Sequence, residues 1–83
     1  MMEIGLLWFD DDKQMTAEEK IAQAVRRYRQ KFGHAPTVCF VHPDEPVTKE
    51  SVAGVAVRPL RTVLRHHFWV GVEKQAEGLP EAA

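Results

Sequence analysis

The sequence predicts a small two-layer α/β domain, in which a βαβ unit is extended by one or two further strands and a single helix covers one face of the sheet. Three observations support this fold class: a long apolar run at 3–9, a capped amphipathic segment at 17–32 and a second short apolar run at 37–41. A chain of 83 residues has room for one hydrophobic core. We therefore expect a single domain over residues 1–74 and a flexible tail over 75–83.

Residues 3–9, "EIGLLWF", predict the first strand. The run is almost continuous in large apolar side chains and stops at Asp10, Asp11 and Asp12. A continuous apolar run of this length is typical of a strand that is covered on both faces. We therefore expect a buried strand that ends at the three acids.

Residues 17–32 predict one amphipathic helix. "TAEE" at 16–19 is a capping box, in which Thr16 and Glu19 each accept a hydrogen bond from the other's backbone N–H. Apolar residues then recur at helical spacing as far as residue 32. Gly33 suits the left-handed backbone conformation that commonly ends a helix, and Pro36 prevents the helix from continuing.

The short run "TVCFV", 37–41, predicts a second strand, because it is rich in β-branched and aromatic residues and is closed by "HPDEP". A strand, a helix and a strand make a right-handed unit whose two strands are parallel. The two strands could be neighbours, or a third strand could lie between them as in split units.

The second half of the chain predicts further strands. The stretch at 51–60 holds several valines about Ala53-Gly54, which indicates a hairpin turn or a bulge, and Pro59 should end that strand or place it at a sheet edge. The stretch at 66–73, "HHFWVGVE", alternates apolar and other residues and predicts the last strand.

Both predicted strands of the βαβ unit are apolar on both faces, yet the single helix can cover one face only. Either the segment 44–65 folds over the second face or a second copy of the chain covers it, and we expect an isologous homodimer. On this less covered face we expect Trp69 and Trp8 to form an aromatic contact surface, with His67 at its polar rim.

The acidic cluster suggests a metal site. Asp10 and Asp12 follow the first strand, His42 follows the second, and His66 lies at the start of the last strand, which would reach the same edge if that strand is antiparallel. Ligands bind beyond the carboxyl ends of parallel strands, and these side chains would suit Mg²⁺, Mn²⁺ or Zn²⁺. A metal-dependent hydrolase or nuclease would follow, with His42 as general base. The alternative is structural, since acids before a helix stabilise its positive end.

Basic residues form two unopposed blocks, although the net charge is only −1. Segment 26–31 contains Arg26 and Arg27, and segment 58–67 contains Arg61 and Arg65. Arginines on one surface could neutralise phosphates of a nucleic acid. The alternative is a solvated helix whose last cations complement its dipole, and no signature of a known nucleic-acid-binding motif is present.

The remaining features indicate a cytoplasmic protein with no disulfide. Cys39 is the only cysteine and lies in an apolar run, and the N-terminal segment lacks a secretory pattern. We expect no cofactor, although a divalent metal is compatible with the acidic cluster, and no contact with a membrane. The expected function is a non-enzymatic interaction module that binds a copy of itself or another protein through a sheet face or edge. The hydrolase and the nucleic-acid-binding accessory protein are the alternatives.

Overall fold

A computed structural model describes residues 2–73, which form a five-stranded mixed sheet with one helix packed on one face. This architecture confirms the predicted small α/β fold with a single helix. The predicted tail, 75–83, lies outside the described residues. The elements in chain order are β1 (Met2–Phe9), α1 (Ala17–Phe32), β2 (Val38–Val41), β3 (Ser51–Val52), β4 (Val55–Pro59) and β5 (His67–Glu73).

The last strand of the chain lies in the interior of the sheet. The strand order is β1-β5-β2-β4-β3, and β5 pairs antiparallel with both β1 and β2. Strands β1 and β2 therefore run in the same direction but do not touch. Of the two arrangements that the sequence left open, the chain adopts the split unit. Phe68 and Val70 of β5 are fully buried, because this central strand lies under α1 and both side chains belong to the core.

The segment between β2 and β5 contains a hairpin. Strand β4 pairs parallel with β2 and antiparallel with β3. Ala53 and Gly54 connect β3 to β4 with positive φ angles of 51° and 82°, which is the backbone of a type I′ hairpin turn. Of the hairpin turn and the bulge that the sequence left open at this position, the chain forms the hairpin turn. Strand β4 ends at Pro59, the residue that was expected to end it.

The helix begins and ends where its capping residues predict. Thr16 Oγ1 accepts from the backbone N–H of Glu19 at 3.1 Å, and Glu19 Oε1 accepts from the backbone N–H of Thr16 at 2.8 Å. Gly33 has a φ of 78°, and its N–H donates to the carbonyl oxygen of Arg29 at 2.9 Å. These contacts satisfy backbone groups that a helix leaves without partners at its ends.

The core lies between α1 and the sheet. The residues that form it are Ile21, Ala24, Val25, Tyr28, Cys39, Val41, Val55, Phe68 and Val70. The loop before β3 is attached to this layer through Glu18, whose carboxylate accepts from the backbone N–H of Thr48 at 3.0 Å. This hydrogen bond holds the pKa of Glu18 below its ordinary value.

Candidate functional site

The side of the sheet opposite α1 is incompletely covered, and we call it the open face. Successive side chains of a strand point to opposite faces, and the helix-side core contains the even-numbered residues of β5. The strand pairing then assigns the odd-numbered residues of β1 and β5 to the open face. Its members in β1, β2, β4 and β5 are Gly5, Leu7, Phe9, Val38, Phe40, Ala56, Arg58, His67, Trp69, Gly71 and Glu73.

Part of the open face is covered by residues 60–66, the connection between β4 and β5. Val63 in this segment is buried, and its N–H donates to the carbonyl oxygen of Leu60 at 3.0 Å. The backbone N–H of His66 donates to Glu45 Oε2 at 2.8 Å, which ties the segment to the loop after β2. One of the two expected covers, the segment 44–65, therefore supplies a partial cover.

A patch of large apolar side chains stays exposed on this face, and one of them, Leu64, belongs to the segment 60–66. Leu7, Phe9 and Leu64 are 60%, 56% and 68% exposed. Leu7 and Leu64 border a groove of about 410 Å³ whose floor includes Gly5 and Trp69. Contiguous exposed apolar surface of this kind marks binding sites for proteins or ligands. We call Leu7, Phe9, Leu64 and Trp69 the apolar patch.

Gly5 allows the Trp69 indole to lie directly on the backbone of β1. A Cβ atom at Gly5 would overlap Trp69 Nε1 and would also meet the carbonyl oxygen of Val70 at 3.2 Å. On its other side, Trp69 contacts Phe40, with ring centroids 6.4 Å apart. The indole therefore lies between β1 and β2 at the centre of the open face.

Polar groups surround the patch. The His67 ring lies 5.0 Å from the Phe9 ring, and its Nδ1 is 2.9 Å from the carbonyl oxygen of Arg65. Farther along the sheet, Arg58 donates to Glu73 Oε2 at 3.1 Å. An apolar centre with a polar border is an arrangement that many protein–protein interfaces share.

The structure corrects the expected pairing of Trp8 with Trp69. Trp8 lies opposite Phe68 in the β1–β5 ladder, packs against the helix-side core, and has the Arg27 guanidinium 5.8 Å from its ring centroid. Trp69 lies opposite Leu7 on the other face. The predicted pairing was wrong because the β1–β5 register sets Trp69 opposite Leu7 and not opposite Trp8, so the two tryptophan side chains lie on opposite faces of the sheet. Trp69 and His67 do share the open face, and Trp8 does not.

The acidic cluster lies where the end of β1 meets the start of β5. The backbone N–H of Asp10 donates to the carbonyl oxygen of His66 at 2.9 Å, so the topology brings these two residues together as expected. The side chains bind their own backbone: Asp10 Oδ1 accepts from the N–H of Asp12 at 3.0 Å, and Asp12 Oδ1 accepts from that of Gln14 at 2.9 Å. These are the local turns that aspartate commonly makes between elements.

His42 also binds its own loop. Its Nδ1 accepts from the backbone N–H of Asp44 at 2.9 Å and lies 4.0 Å from Asp44 Oδ2. Within residues 2–73, no three His, Cys, Asp or Glu side chains are grouped so that they could hold a metal ion. The metal-dependent hydrolase with Asp10, Asp12 and His42 stays a prediction. Among the residues that the structure describes, these side chains do not come together as metal ligands.

The two basic segments lie in different layers. Arg26 and Arg27 are exposed on α1, on the helix side of the sheet. Arg61 and Arg65 are exposed in the segment 60–66, which packs on the open face. The single phosphate-binding surface that the sequence suggested is divided by the sheet, and nucleic-acid binding stays a prediction.

Sequence reasoning missed the contribution of Val63 and Leu64. A signal was present, since "TVL" places two large apolar residues between Arg61 and Arg65 in a segment without strand periodicity. Such isolated apolar residues in a connection indicate a loop that packs back on the core.

Comparisons with other proteins give no match: a scan against family models finds none, and searches of the curated proteins and of the solved structures find none. No helix in residues 2–73 is long and apolar enough to cross a bilayer.

Proposed function

We propose that this chain is a non-enzymatic protein-interaction module that self-associates through the open face of its sheet and the adjoining edge. The observation that carries the proposal is the apolar patch, in which Leu7, Phe9 and Leu64 are more than half exposed and Leu7 and Leu64 border one groove with Trp69. Removing such surface from water contributes about 25 cal/mol per Å² of apolar area, and an assembly is stable where this contribution exceeds the entropy and desolvation costs of association.

The size of the domain supports self-association. A core of this size supplies roughly 3 to 5 kcal/mol of stability, and an interface adds to it because it binds the folded chain and not the unfolded one. Trp69 has the features of an interface hot spot, since its rigid aromatic ring borders the groove and contacts Phe40.

We place the module in the cytoplasm. The support is the single cysteine, which is buried as a free thiol at Cys39. A reduced cysteine and no disulfide framework are typical of a reducing compartment.

Sedimentation equilibrium over a concentration series tests the proposal. We expect a monomer–dimer equilibrium for the wild type and at least about a tenfold weaker dimer for Trp69→Ala, the size of effect that truncation of a hot spot produces. Leu64→Ser is the second variant, because Leu64 is 68% exposed and its loss leaves the core intact.

Arg26→Ala, on the exposed side of α1, is the matched control and should dimerise like the wild type. A wild-type chain that stays monomeric at millimolar concentration would refute the proposal. So would two patch variants whose dissociation constants equal that of the control.

A further inference from the structure

Within residues 2–73, strand β1 is an outer strand with a free edge, since β5 is its single partner in this part of the sheet. The N–H of Asp10, just beyond the strand, donates toward β5. Backbone groups alternate in direction along a strand, so Leu6 and Trp8 also bond toward β5. The N–H and C=O groups of Gly5, Leu7 and Phe9 consequently point away from the sheet.

This edge lacks the devices that usually prevent strand pairing. Exposed edges are normally interrupted by proline, protected by charged side chains, or bent by a bulge. The stretch 5–9, "GLLWF", contains neither proline nor charge. The irregularity in the β1–β5 ladder lies between Met2 and Gly5, so the pairing over 5–9 is regular. The opposite edge of the sheet, β3, has just two residues.

We infer that β1 pairs antiparallel with β1 of a second copy about a two-fold axis at Leu7, so that the two sheets become continuous. The inference rests on the proposed self-association and specifies its geometry. Leu7 is the middle residue of the regular stretch 5–9, and its outward N–H and C=O would bond those of Leu7 in the copy. Gly5 and Phe9 would exchange the same bonds with Phe9 and Gly5 of the copy.

The side chains are complementary in this register. On the open face, Phe9 of the copy would lie opposite Gly5, where the Trp69 indole covers the backbone, so that the Phe9 ring would pack beside the indole at the groove. On the helix side, Leu6 would lie opposite Trp8 of the copy, and both are partly buried side chains at the border of the core. An aromatic ring across from a strand glycine is a favourable cross-strand pair.

Neighbouring registers are less favourable. An axis at Trp8 would set Leu6 opposite the charged Asp10 of the copy. An axis at Leu6 would take Phe9 beyond the regular stretch 5–9. With the axis at Leu7, every residue of the stretch 5–9 lies opposite an apolar residue or glycine of the same stretch in the copy. The assembly stops at two copies, because this pairing uses the long exposed edge of β1 in each copy.

Disulfide trapping with the variants Leu7→Cys and Phe9→Cys tests the register. The two positions are similarly accessible, since Leu7 and Phe9 are 60% and 56% exposed. In the inferred dimer the two copies of residue 7 have Cα atoms about 5.5 Å apart, within the range of about 4.4 to 6.8 Å that a disulfide spans. The two copies of residue 9 are four positions apart along the ladder, about 14 Å. We expect mild oxidation to link Leu7→Cys into a covalent dimer and to leave Phe9→Cys at background. The native Cys39 is fully buried and does not interfere.

Amide hydrogen exchange of the unmodified chain gives an independent readout. Exchange at Leu7 and Phe9 should slow as the protein concentration rises, whereas Leu6 and Trp8 should be protected at every concentration. A dimer in which Phe9→Cys links as well as Leu7→Cys, or in which exchange at Leu7 does not change, would overturn the inferred pairing and leave the proposed function standing. A chain that never dimerises would overturn both.

Discussion

At the scale of single residues, the burial of Cys39 determines the protonation state of its thiol. Its side chain is fully buried between α1 and the sheet. Burial raises the pKa of the Cys39 thiol to about 12, because the thiolate would lose its hydration there. The group is therefore a neutral core residue and not a nucleophile at physiological pH.

The raised pKa predicts a loss of stability in alkali. The unfolded thiol loses its proton near pH 9 and the folded thiol near pH 12, so its contribution is fully present below pH 9 and declines as the pH rises from 9 to 12. Between pH 8 and 10.5 the wild type should lose about 2 kcal/mol more than Cys39→Ala, measured by urea unfolding. Equal losses in the two proteins would contradict the buried thiol.

At the scale of elements, the β3–β4 hairpin has a residue in a backbone conformation that lowers the stability of the fold. Ala53 has a φ of 51°, in the left-handed region, which costs an L-residue with a Cβ atom roughly 1 to 2 kcal/mol. The type I′ turn favours Asn-Gly at its two central positions, and the chain has Ala53-Gly54. The antiparallel pairing of β3 with β4 on either side of the turn holds it in this conformation.

Ala53→Asn should therefore stabilise the protein, by about 0.5 to 1 kcal/mol, since asparagine tolerates the left-handed region better than alanine does. Chemical denaturation at fixed protein concentration measures the change. Ala53→Thr is the matched control and should destabilise, because a β-branched residue is poorly tolerated at positive φ. If Asn and Thr shifted the unfolding midpoint in the same direction, the turn would have a different conformation.

At the scale of the whole molecule, β5 joins the two halves of the sheet. It pairs with β1 on one side and β2 on the other, and its Phe68 is fully buried against the helix layer. Phe68→Ala should cost about 3 to 5 kcal/mol, which is comparable with the entire stability of a domain this small. We expect circular dichroism to show an unfolded or nearly unfolded chain at 25 °C.

Phe9→Ala is the control for that experiment, because Phe9 is 56% exposed and lies on the open face. At a concentration where the wild type is monomeric, Phe9→Ala should change the free energy of unfolding by less than about 1 kcal/mol. A Phe68→Ala variant that melts like Phe9→Ala would contradict the central position of β5.

The sequence by itself determined the elements whose signals are local. The helix limits follow from the Thr16–Glu19 capping box and from Gly33, and the end of β4 follows from Pro59. Caps, turns and proline act through atoms a few residues apart, so their effect can be derived without knowing where the rest of the chain lies.

The tertiary structure decided which distant residues meet. It inserted β5 between β1 and β2, separated Trp8 from Trp69, turned the carboxylates of Asp10 and Asp12 toward their own loop, and folded the segment 60–66 over part of the open face. These outcomes depend on pairings between segments far apart in the chain. For such pairings, several registers satisfy the same apolar pattern, and the packing of the whole core selects one.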